Sequence, residues 1–384
     1  MALTFKICFV IITVSALLVL YSPQPCSATT APKIFKKLYA FGDSITDTGN
    51  TNSSTGPIFF THVSNPPYGR TFFHRPTNRY SDGRLVVDFV AQALSLPLLP
   101  PYLDSKADRS YGINFAIAGC TAINYRFFER NNITLDITPK SLATQLRWFN
   151  SYLESVGCRD YKSTPKQCGE VFDDSLFWVG AIGVNDYSYI FGSSVTSQTI
   201  QKLSITRAIG FIQALLKRGA KYVVVQGLHM AGCTTFNLYL SGEGDRDAMG
   251  CVATVNNQSY AHNAVLQTHL AALRQQFPQA TIVYADYWNA YRSILANHKT
   301  HGFTEPFKAC CGSAATEDDL HFDIFTTCGS PEATSCSDPS KYINWDGGHL
   351  TEAMYKVVAD KLLNGSFSHP PFSYLLRKKI SSGH

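Results

Sequence analysis

Short apolar segments alternate with longer segments of helical periodicity along this chain, and this alternation constrains its fold more than any other feature. Five segments have the length and apolar character of buried strands, at residues 37–41, 113–116, 176–179, 222–225 and 281–284. Helical spacing is found at residues 85–94, 142–153, 199–218 and 253–277, with further helices opening at Asp286 and near Glu352. Such alternation is typical of a parallel sheet that helices cover on both faces. The sequence therefore predicts an α/β fold with a five-stranded parallel sheet.

A secretory signal peptide is predicted for residues 1–28. Lys6 precedes an apolar run over residues 7–21, and the small residues Ser27 and Ala28 follow at a suitable cleavage position. The run is shorter than the roughly 20 residues of a membrane span, although a retained signal anchor is the alternative interpretation. We therefore expect residues 29–384 to form a single exported domain without stable membrane insertion, located in the cell wall or apoplast, with the vacuole as another possible destination.

The cysteines agree with an oxidising compartment. Local disulfides are expected between cysteines close in sequence: Cys158 with Cys168, Cys233 with Cys251, and pairs within residues 310–336, where the connectivity stays open. Cys120 is predicted to be a small buried residue without a partner. A zinc site is the competing interpretation, but the chain has neither Cys-x-x-Cys nor His-Glu-x-x-His spacing.

The net charge and the sequons are consistent with an exported protein. The formal net charge is +5, and because the only dense basic run is at residues 377–379, it does not indicate a nucleic-acid partner. Asn-x-Ser/Thr sequons occur at Asn52, Asn132, Asn257 and Asn364.

The first predicted strand ends in Gly42-Asp43-Ser44, which places a hydroxyl beyond the carboxyl end of a strand. Ligands of open α/β sheets bind at such strand ends, so Ser44 is a candidate nucleophile if a base can reach it. The alternative is a simple turn in which Asp43 and Ser44 cap the following helix. No Gly-x-Ser-x-Gly pentapeptide is present, which argues against the nucleophile elbow of α/β-hydrolases.

His349 is the candidate base. Of the eleven histidines, it alone has an acid at a useful spacing, because Asp346 lies three residues before it in a Gly-containing turn. The carboxylate can hold one imidazole nitrogen and leave the other free to take a serine proton. By spacing alone, a structural hydrogen bond is equally consistent with this turn.

Four blocks, taken in order, resemble those of the plant GDSL-type (SGNH) esterase/lipase family. They are Gly42-Asp43-Ser44, the segment ending in Gly119, the segment 183–186 and Asp346-x-x-His349. The resemblance covers about residues 38 to 371 and implies a three-layer SGNH-hydrolase (flavodoxin-like) fold with carboxylic ester hydrolase activity. Two departures are Cys120, where the family commonly has Ala, and the loop 226–233, which is less Pro-rich than usual.

The resemblance also implies roles for individual residues. Ser44 would be the nucleophile, His349 the general base and then acid, and Asp346 the residue that orients His349. The backbone N–H groups of Ser44 and Gly119 and the side-chain amide of Asn185 would form the oxyanion hole. Water would then hydrolyse the acyl-serine intermediate.

Other polar residues near these blocks receive weaker assignments. Asp43 and Asp186 are predicted to be turn and capping residues. His74 and His229 lie in loops at the same edge of the predicted sheet and are candidates for pocket lining.

The expected substrate is a small-molecule ester, and no cofactor or metal is expected. The segments 50–80 and 226–238, predicted to border the site, mix aromatic residues with Asn, Thr, Ser and His. This favours short-chain or aromatic acyl esters of a small specialised plant metabolite over a long alkyl chain. A lipase acting on longer-chain lipid esters, an acyltransferase using the same acyl-enzyme and a non-catalytic binding protein are the alternatives. The sequence makes no prediction of the oligomeric state.

Overall fold

The computed structural model describes residues 33–134, 138–313, 320–364 and 366–382. Its strands are β1 (Lys37–Phe41), β2 (Gly112–Asn114), β3 (Ser175–Val179), β4 (Tyr222–Gln226), β5 (Thr281–Ala285), β6 (Glu305–Ala309), β7 (Cys311–Gly312), β8 (Thr334–Ser335), β9 (Tyr342–Asn344) and β10 (Ser368–His369). The main sheet has the order β10-β5-β4-β3-β1-β2. Strands β1 to β5 run parallel, as predicted, and β10 adds an antiparallel edge strand that the apolar pattern does not predict.

Strand β2 is shorter than predicted. It ends at Asn114, whereas the apolar pattern extended it to Ala116. The side chain of Asn114 accepts the backbone N–H of Ala116 at 2.8 Å and donates to Thr46 O at 2.6 Å, so this side chain binds the backbone just beyond the end of the strand.

Helices cover both faces of the main sheet. They are α1 (Val86–Ala93), α2 (Tyr125–Arg130), α3 (Leu142–Ser155), α4 (Pro165–Phe172), α5 (Val184–Tyr189), α6 (Ser197–Arg218), α7 (Thr235–Leu240), α8 (Ala253–Gln276), α9 (Tyr287–Leu295), α10 (Glu352–Leu363) and α11 (Phe372–Ser381). Short 3-10 helices lie at Ile58–Phe60, Ala231–Cys233, His298–His301 and Pro339–Lys341. The predicted helices are all present within a few residues of their expected ends.

Two separate apolar cores lie on the two faces of the sheet. Because side chains alternate along a strand, Leu38 and Ala40 of β1 pack on one face, and Tyr39 and Phe41 pack on the other. The first core is completed by α1, α9, α10 and α11, and the second by α3, α4, α6 and α8. The predicted three-layer α/β fold is therefore confirmed.

Two small two-stranded sheets lie in the segment before α10, and disulfides link this segment and other parts of the chain. Strand β6 pairs with β9 in parallel, and β7 pairs with β8 antiparallel. The predicted disulfides Cys158–Cys168 and Cys233–Cys251 are present, and the open cluster resolves into Cys310–Cys336 and Cys311–Cys328. Cys120 is buried and is the one free cysteine of the described residues.

The predicted signal peptide lies outside the described residues. The segment Ile34–His384 forms one compact unit. Within the described part of the chain, no helix combines the length and the apolar character that a membrane span requires.

Candidate active site

Ser44, His349 and Asp346 form a continuous hydrogen-bonded chain. His349 Nε2 lies 2.8 Å from Ser44 Oγ, and His349 Nδ1 lies 2.9 Å from each carboxylate oxygen of Asp346. The fold brings these residues together because Ser44 follows β1, while Asp346 and His349 lie in the turn between β9 and α10. In this geometry, one imidazole nitrogen contacts a carboxylate and the other contacts a hydroxyl, which is the arrangement that activates a serine.

The two turns that carry these side chains depend on glycine. Gly42 has a φ of 147°, and a Cβ there would lie 3.3 Å from Gly180 Cα. Gly347 has a φ of 94°, and a Cβ there would lie 2.3 Å from the Phe322 ring. Only a residue without a side chain fits the second position, so glycine permits the close approach of the Asp346–His349 turn to its neighbours.

Asp346 is fully buried but remains acidic. Burial opposes its ionisation, but the charge of His349 and hydrogen bonds from His349 and Tyr68 outweigh that effect and hold the pKa of Asp346 below its usual value. The Tyr68 hydroxyl donates to Asp346 Oδ2 at 2.7 Å, and the backbone N–H groups of Gly348 and His349 donate to Oδ1 at 3.1 and 2.9 Å. Asp346 is therefore a carboxylate with its acceptor positions filled.

Aromatic rings enclose His349. The ring centroids of Tyr80 and Phe60 lie 4.6 and 4.9 Å from that of the imidazole. Both residues and Tyr68 come from the segment 50–80, which was predicted to border the site. The sequence predicts contacts with His349 or Asp346 for none of the three, and its only signal is the aromatic content of this segment.

The loop that contains Gly119 is tied to the Ser44 turn. Ile117 N–H donates to Gly42 O at 3.2 Å, and Ala118 N–H donates to Asp47 Oδ2 at 3.0 Å. Gly119 has a φ of 72°, and a Cβ there would lie 2.7 Å from Thr138 Cγ2. Among the hydrogen bonds of the described residues, the backbone N–H groups of Ser44 and Gly119 have no protein acceptor, so both are free to receive a ligand oxygen.

Asn185 lies beside the same loop at the start of α5. Its Nδ2 donates one N–H to Cys120 O at 3.0 Å. An amide carries two such hydrogens, so this bond orients the side chain and leaves the second N–H available. The structure thus brings Asn185 next to Gly119, as the predicted oxyanion hole requires.

Buried carboxylates hold the backbone around this region. Asp186 accepts the N–H groups of Ala122 and Ile123 at 2.9 Å each, and Asp43 accepts the N–H of Ile45 at 3.1 Å. Burial raises the pKa of Asp43 to about 7 and that of Asp186 to about 7. Their contacts are those of turn-stabilising side chains rather than of reacting groups.

The two further histidines have different surroundings. His74 is exposed, and its Nδ1 lies 3.1 Å from Arg70 O. His229 is buried against Tyr287, with ring centroids 5.4 Å apart, and burial together with nearby His349 lowers its pKa to about 4. His229 is therefore a neutral residue of the protein interior near His349, not a side chain on an open pocket wall.

A separate cavity of about 810 Å³ lies beyond the carboxyl end of β5. Its lining includes Met249, Asp286, Arg292 and Phe307 and contains neither Ser44 nor His349. Within the described residues, no group of three or more His, Cys, Asp or Glu side chains is arranged to hold a metal ion. The candidate active site is thus identified by the chemistry of its side chains and not by cavity size.

Comparisons with known proteins match most of the chain. The family model for GDSL-like lipase/acylhydrolase matches residues 38–362. A GDSL esterase/lipase of Arabidopsis thaliana is 53% identical over 365 residues, which cover 92% of this chain and 93% of that protein. Acetylajmalan esterase 2 of Rauvolfia serpentina is 40% identical over 338 residues, which cover 86% of this chain and 90% of that protein. All the candidate site residues lie within the residues 38–362 that the family model matches.

Proposed function

Since this chain belongs to the GDSL-like lipase/acylhydrolase family and is a carboxylic ester hydrolase, we propose that it cleaves esters through an acyl-serine intermediate on Ser44. The observation that carries this proposal is the 2.8 Å contact between Ser44 Oγ and His349 Nε2. Asp346 accepts from His349 Nδ1 and fixes the tautomer in which Nε2 is the proton acceptor. Ser44 is then activated without any cofactor.

The first half of the reaction transfers the acyl group to the enzyme. Ser44 Oγ attacks the ester carbonyl carbon while its proton moves to His349 Nε2. The backbone N–H groups of Ser44 and Gly119 and the free N–H of Asn185 stabilise the negative oxygen of the tetrahedral intermediate. The ester C–O bond then breaks, and His349 gives its proton to the leaving alcohol.

The second half restores the enzyme. Water attacks the acyl carbon, His349 takes a proton from this water, and the bond to Ser44 Oγ breaks as the proton returns to Oγ. The products are a carboxylic acid and an alcohol. An acyltransferase would differ only in using a second alcohol instead of water in this step.

For the substrate, we propose a short-chain or aromatic acyl ester of a small specialised plant metabolite. Partly exposed aromatic rings lie beside His349. Phe60 contacts the imidazole, and the ring centroid of Phe236 lies 5.9 Å from that of Phe59 and 6.3 Å from that of Phe60. Such rings suit stacking against a compact ring system. Similarity to acetylajmalan esterase 2 supports the same choice, because its name identifies an acetyl ester of a plant metabolite as the substrate class of a relative.

For the location, we propose secretion into the cell wall or apoplast. Four disulfides connect described cysteines, which fits an oxidising compartment. The asparagines of all four sequons, Asn52, Asn132, Asn257 and Asn364, are exposed, so each side chain is accessible for glycosylation.

The test of the proposed reaction is Ser44→Ala with a p-nitrophenyl acetate assay. Loss of the nucleophile should lower kcat about a thousand-fold or more, with an unchanged unfolding temperature. Ser105→Ala, at an exposed serine outside the site and outside the sequons, is the matched control and should keep full activity. Normal turnover by Ser44→Ala would overturn the assignment. Mass spectrometry of the Ser44 peptide during turnover should show the acyl adduct.

Substrate preference is tested by competition between esters at equal concentration. An acetyl or hydroxycinnamoyl ester should have a higher kcat/KM than a long-chain ester of the same alcohol. A higher value for the long-chain ester would indicate a lipase. Product analysis with an added alcohol distinguishes hydrolysis from acyl transfer.

A further inference from the structure

The side chain of Gln145 binds both backbone groups of Gly42. Gln145 is fully buried in the first turn of α3. Its Oε1 accepts the N–H of Gly42 at 3.0 Å, and its Nε2 donates to Gly42 O at 2.7 Å. Gly42 lies beyond the last paired residue of β1, so these two bonds, together with the bond from Ile117 N–H to Gly42 O, hold the residue two positions before Ser44.

The same amide reaches the loop that contains Gly119. Gln145 Nε2 lies 3.0 Å from Cys120 Sγ. The start of α3 is also held to this loop, because Leu142 N–H donates to Thr121 O at 2.9 Å. A single side chain on a helix therefore contacts both segments whose backbone N–H groups face the proposed oxyanion position.

We propose that Gln145 is a positioning residue that holds the Ser44 and Gly119 N–H groups in register for the oxyanion. It contacts no substrate, and its effect passes through Gly42 and the 117–120 loop. Preformed donors stabilise a developing charge without reorganisation, and displacement by about 1 Å can cost roughly a hundred-fold in rate. The inference rests on the proposed acyl-serine reaction.

Gln145→Met tests this role by removing both hydrogen bonds while keeping a side chain of similar length. We expect kcat to fall about 10- to 100-fold while KM changes by less than about threefold, because the loss is confined to the transition state. Tyr152→Phe is the matched control, since Tyr152 also belongs to α3 and its hydroxyl contacts Tyr39 of β1 at 3.1 Å. We expect Tyr152→Phe to leave kcat unchanged and at most to lower the unfolding temperature.

Gln145→Glu supplies a second readout that a purely structural role would not change. A neutral Glu can still donate to Gly42 O and accept from Gly42 N, whereas an ionised Glu loses the donor and faces a carbonyl oxygen. The titratable groups near this position are Cys120, which Gln145 contacts, and Asp43, Asp47 and Asp186. Burial, together with these three carboxyl groups, raises the pKa of Cys120. Helix α6 packs against α3 through apolar side chains.

The ratio of kcat/KM between Gln145→Glu and the wild-type protein should therefore be near one at acidic pH and fall about tenfold or more as the introduced Glu ionises. The ratio cancels the titration of groups common to both proteins. The inference is overturned if Gln145→Met keeps wild-type kcat, or if this ratio is independent of pH. A failure of the proposed function is distinguishable, since Ser44→Ala would then remain active while the Gln145 variants report only on positioning.

Discussion

Asp43 and Asp346 are two equally buried carboxyl groups of the same site, but their pKa values are shifted in opposite directions. Asp43 is 1% exposed and Asp346 is 0% exposed. Burial raises the pKa of Asp43 to about 7, whereas the pKa of Asp346 is held below its usual value because His349 and Tyr68 compensate its burial. Partners, and not depth, therefore decide which carboxyl group is charged.

The comparison extends to the two halves of the site. Around Ser44 and Gly119, Asp43, Asp47 and Asp186 serve mainly as acceptors for backbone N–H groups, and burial raises the pKa of Asp47 to about 6. Around His349, Asp346 supplies a charge opposite the imidazole. Around Ser44 and Gly119, the carboxyl oxygens act as fixed hydrogen-bond acceptors for the backbone. Around His349, the carboxyl group must be ionised to interact with the imidazole.

Asp346→Asn should give the largest effect on activity. The amide removes the negative charge opposite His349 and can stabilise the wrong tautomer of the imidazole, so kcat should fall about a thousand- to ten-thousand-fold. Steady-state kinetics on p-nitrophenyl acetate measure this loss, and circular dichroism checks the fold. A loss below about tenfold would show that the two carboxyl groups have similar roles and would remove the basis of the comparison.

Tyr68→Phe should give an intermediate effect. It removes the 2.7 Å hydrogen bond to Asp346 and keeps the ring. Hydrogen bonds to charged groups contribute about 1.5–3 kcal/mol, and we expect about a tenfold loss of kcat/KM because only part of this energy differs in the transition state. The control is Tyr80→Phe, since the Tyr80 hydroxyl has no hydrogen-bond partner among the described residues. An equal loss in both variants would show that the effect does not depend on the hydrogen bond to Asp346.

Asp43→Asn should have the smallest effect on activity and a pH-dependent effect on stability. An Asn oxygen can still accept the Ile45 N–H, so kcat should change less than about tenfold. The folded-state pKa of about 7 lies above the ordinary value of 3.8. Between these values the folded protein keeps a proton that the unfolded chain releases. The stability that Asp43 contributes is thus complete below the ordinary value and is lost as the pH rises through about 7.

Asp43→Asn has no ionisable group at this position. Its free energy of unfolding minus that of the wild-type protein should rise between about pH 4 and pH 7, by up to about 1.4 kcal/mol per pH unit, and then level off. Urea denaturation across this range measures the difference. The contributions of groups present in both proteins, such as buried His229, cancel in this difference. Asp104→Asn, at an exposed aspartate, is the control for the chemical change from Asp to Asn. A flat difference for Asp43→Asn would show that Asp43 is ionised throughout.

Much of the fold and the composition of the site follow from local sequence patterns. Apolar periodicity predicted the parallel strands and the main helices, and four short blocks predicted the family, which the family match over residues 38–362 confirms. Cysteines close in sequence predicted the disulfides Cys158–Cys168 and Cys233–Cys251. These signals are readable because each depends on residues a few positions apart. The catalytic roles of Ser44, His349 and Asp346 stay predictions that the variants test.

Tertiary structure alone decided the contacts that support the site. Tyr68 and Asp346 are 278 residues apart, and Gln145 and Gly42 are 103 apart, so no local pattern links either pair. The pairing among Cys310, Cys311, Cys328 and Cys336 and the short edge strand β10 were equally open. Whether a buried hydroxyl, amide or thiol finds a partner depends on which groups packing places beside it, and packing depends on the whole chain. The sequence therefore determined which groups could react, while the fold determined which groups hold them in place.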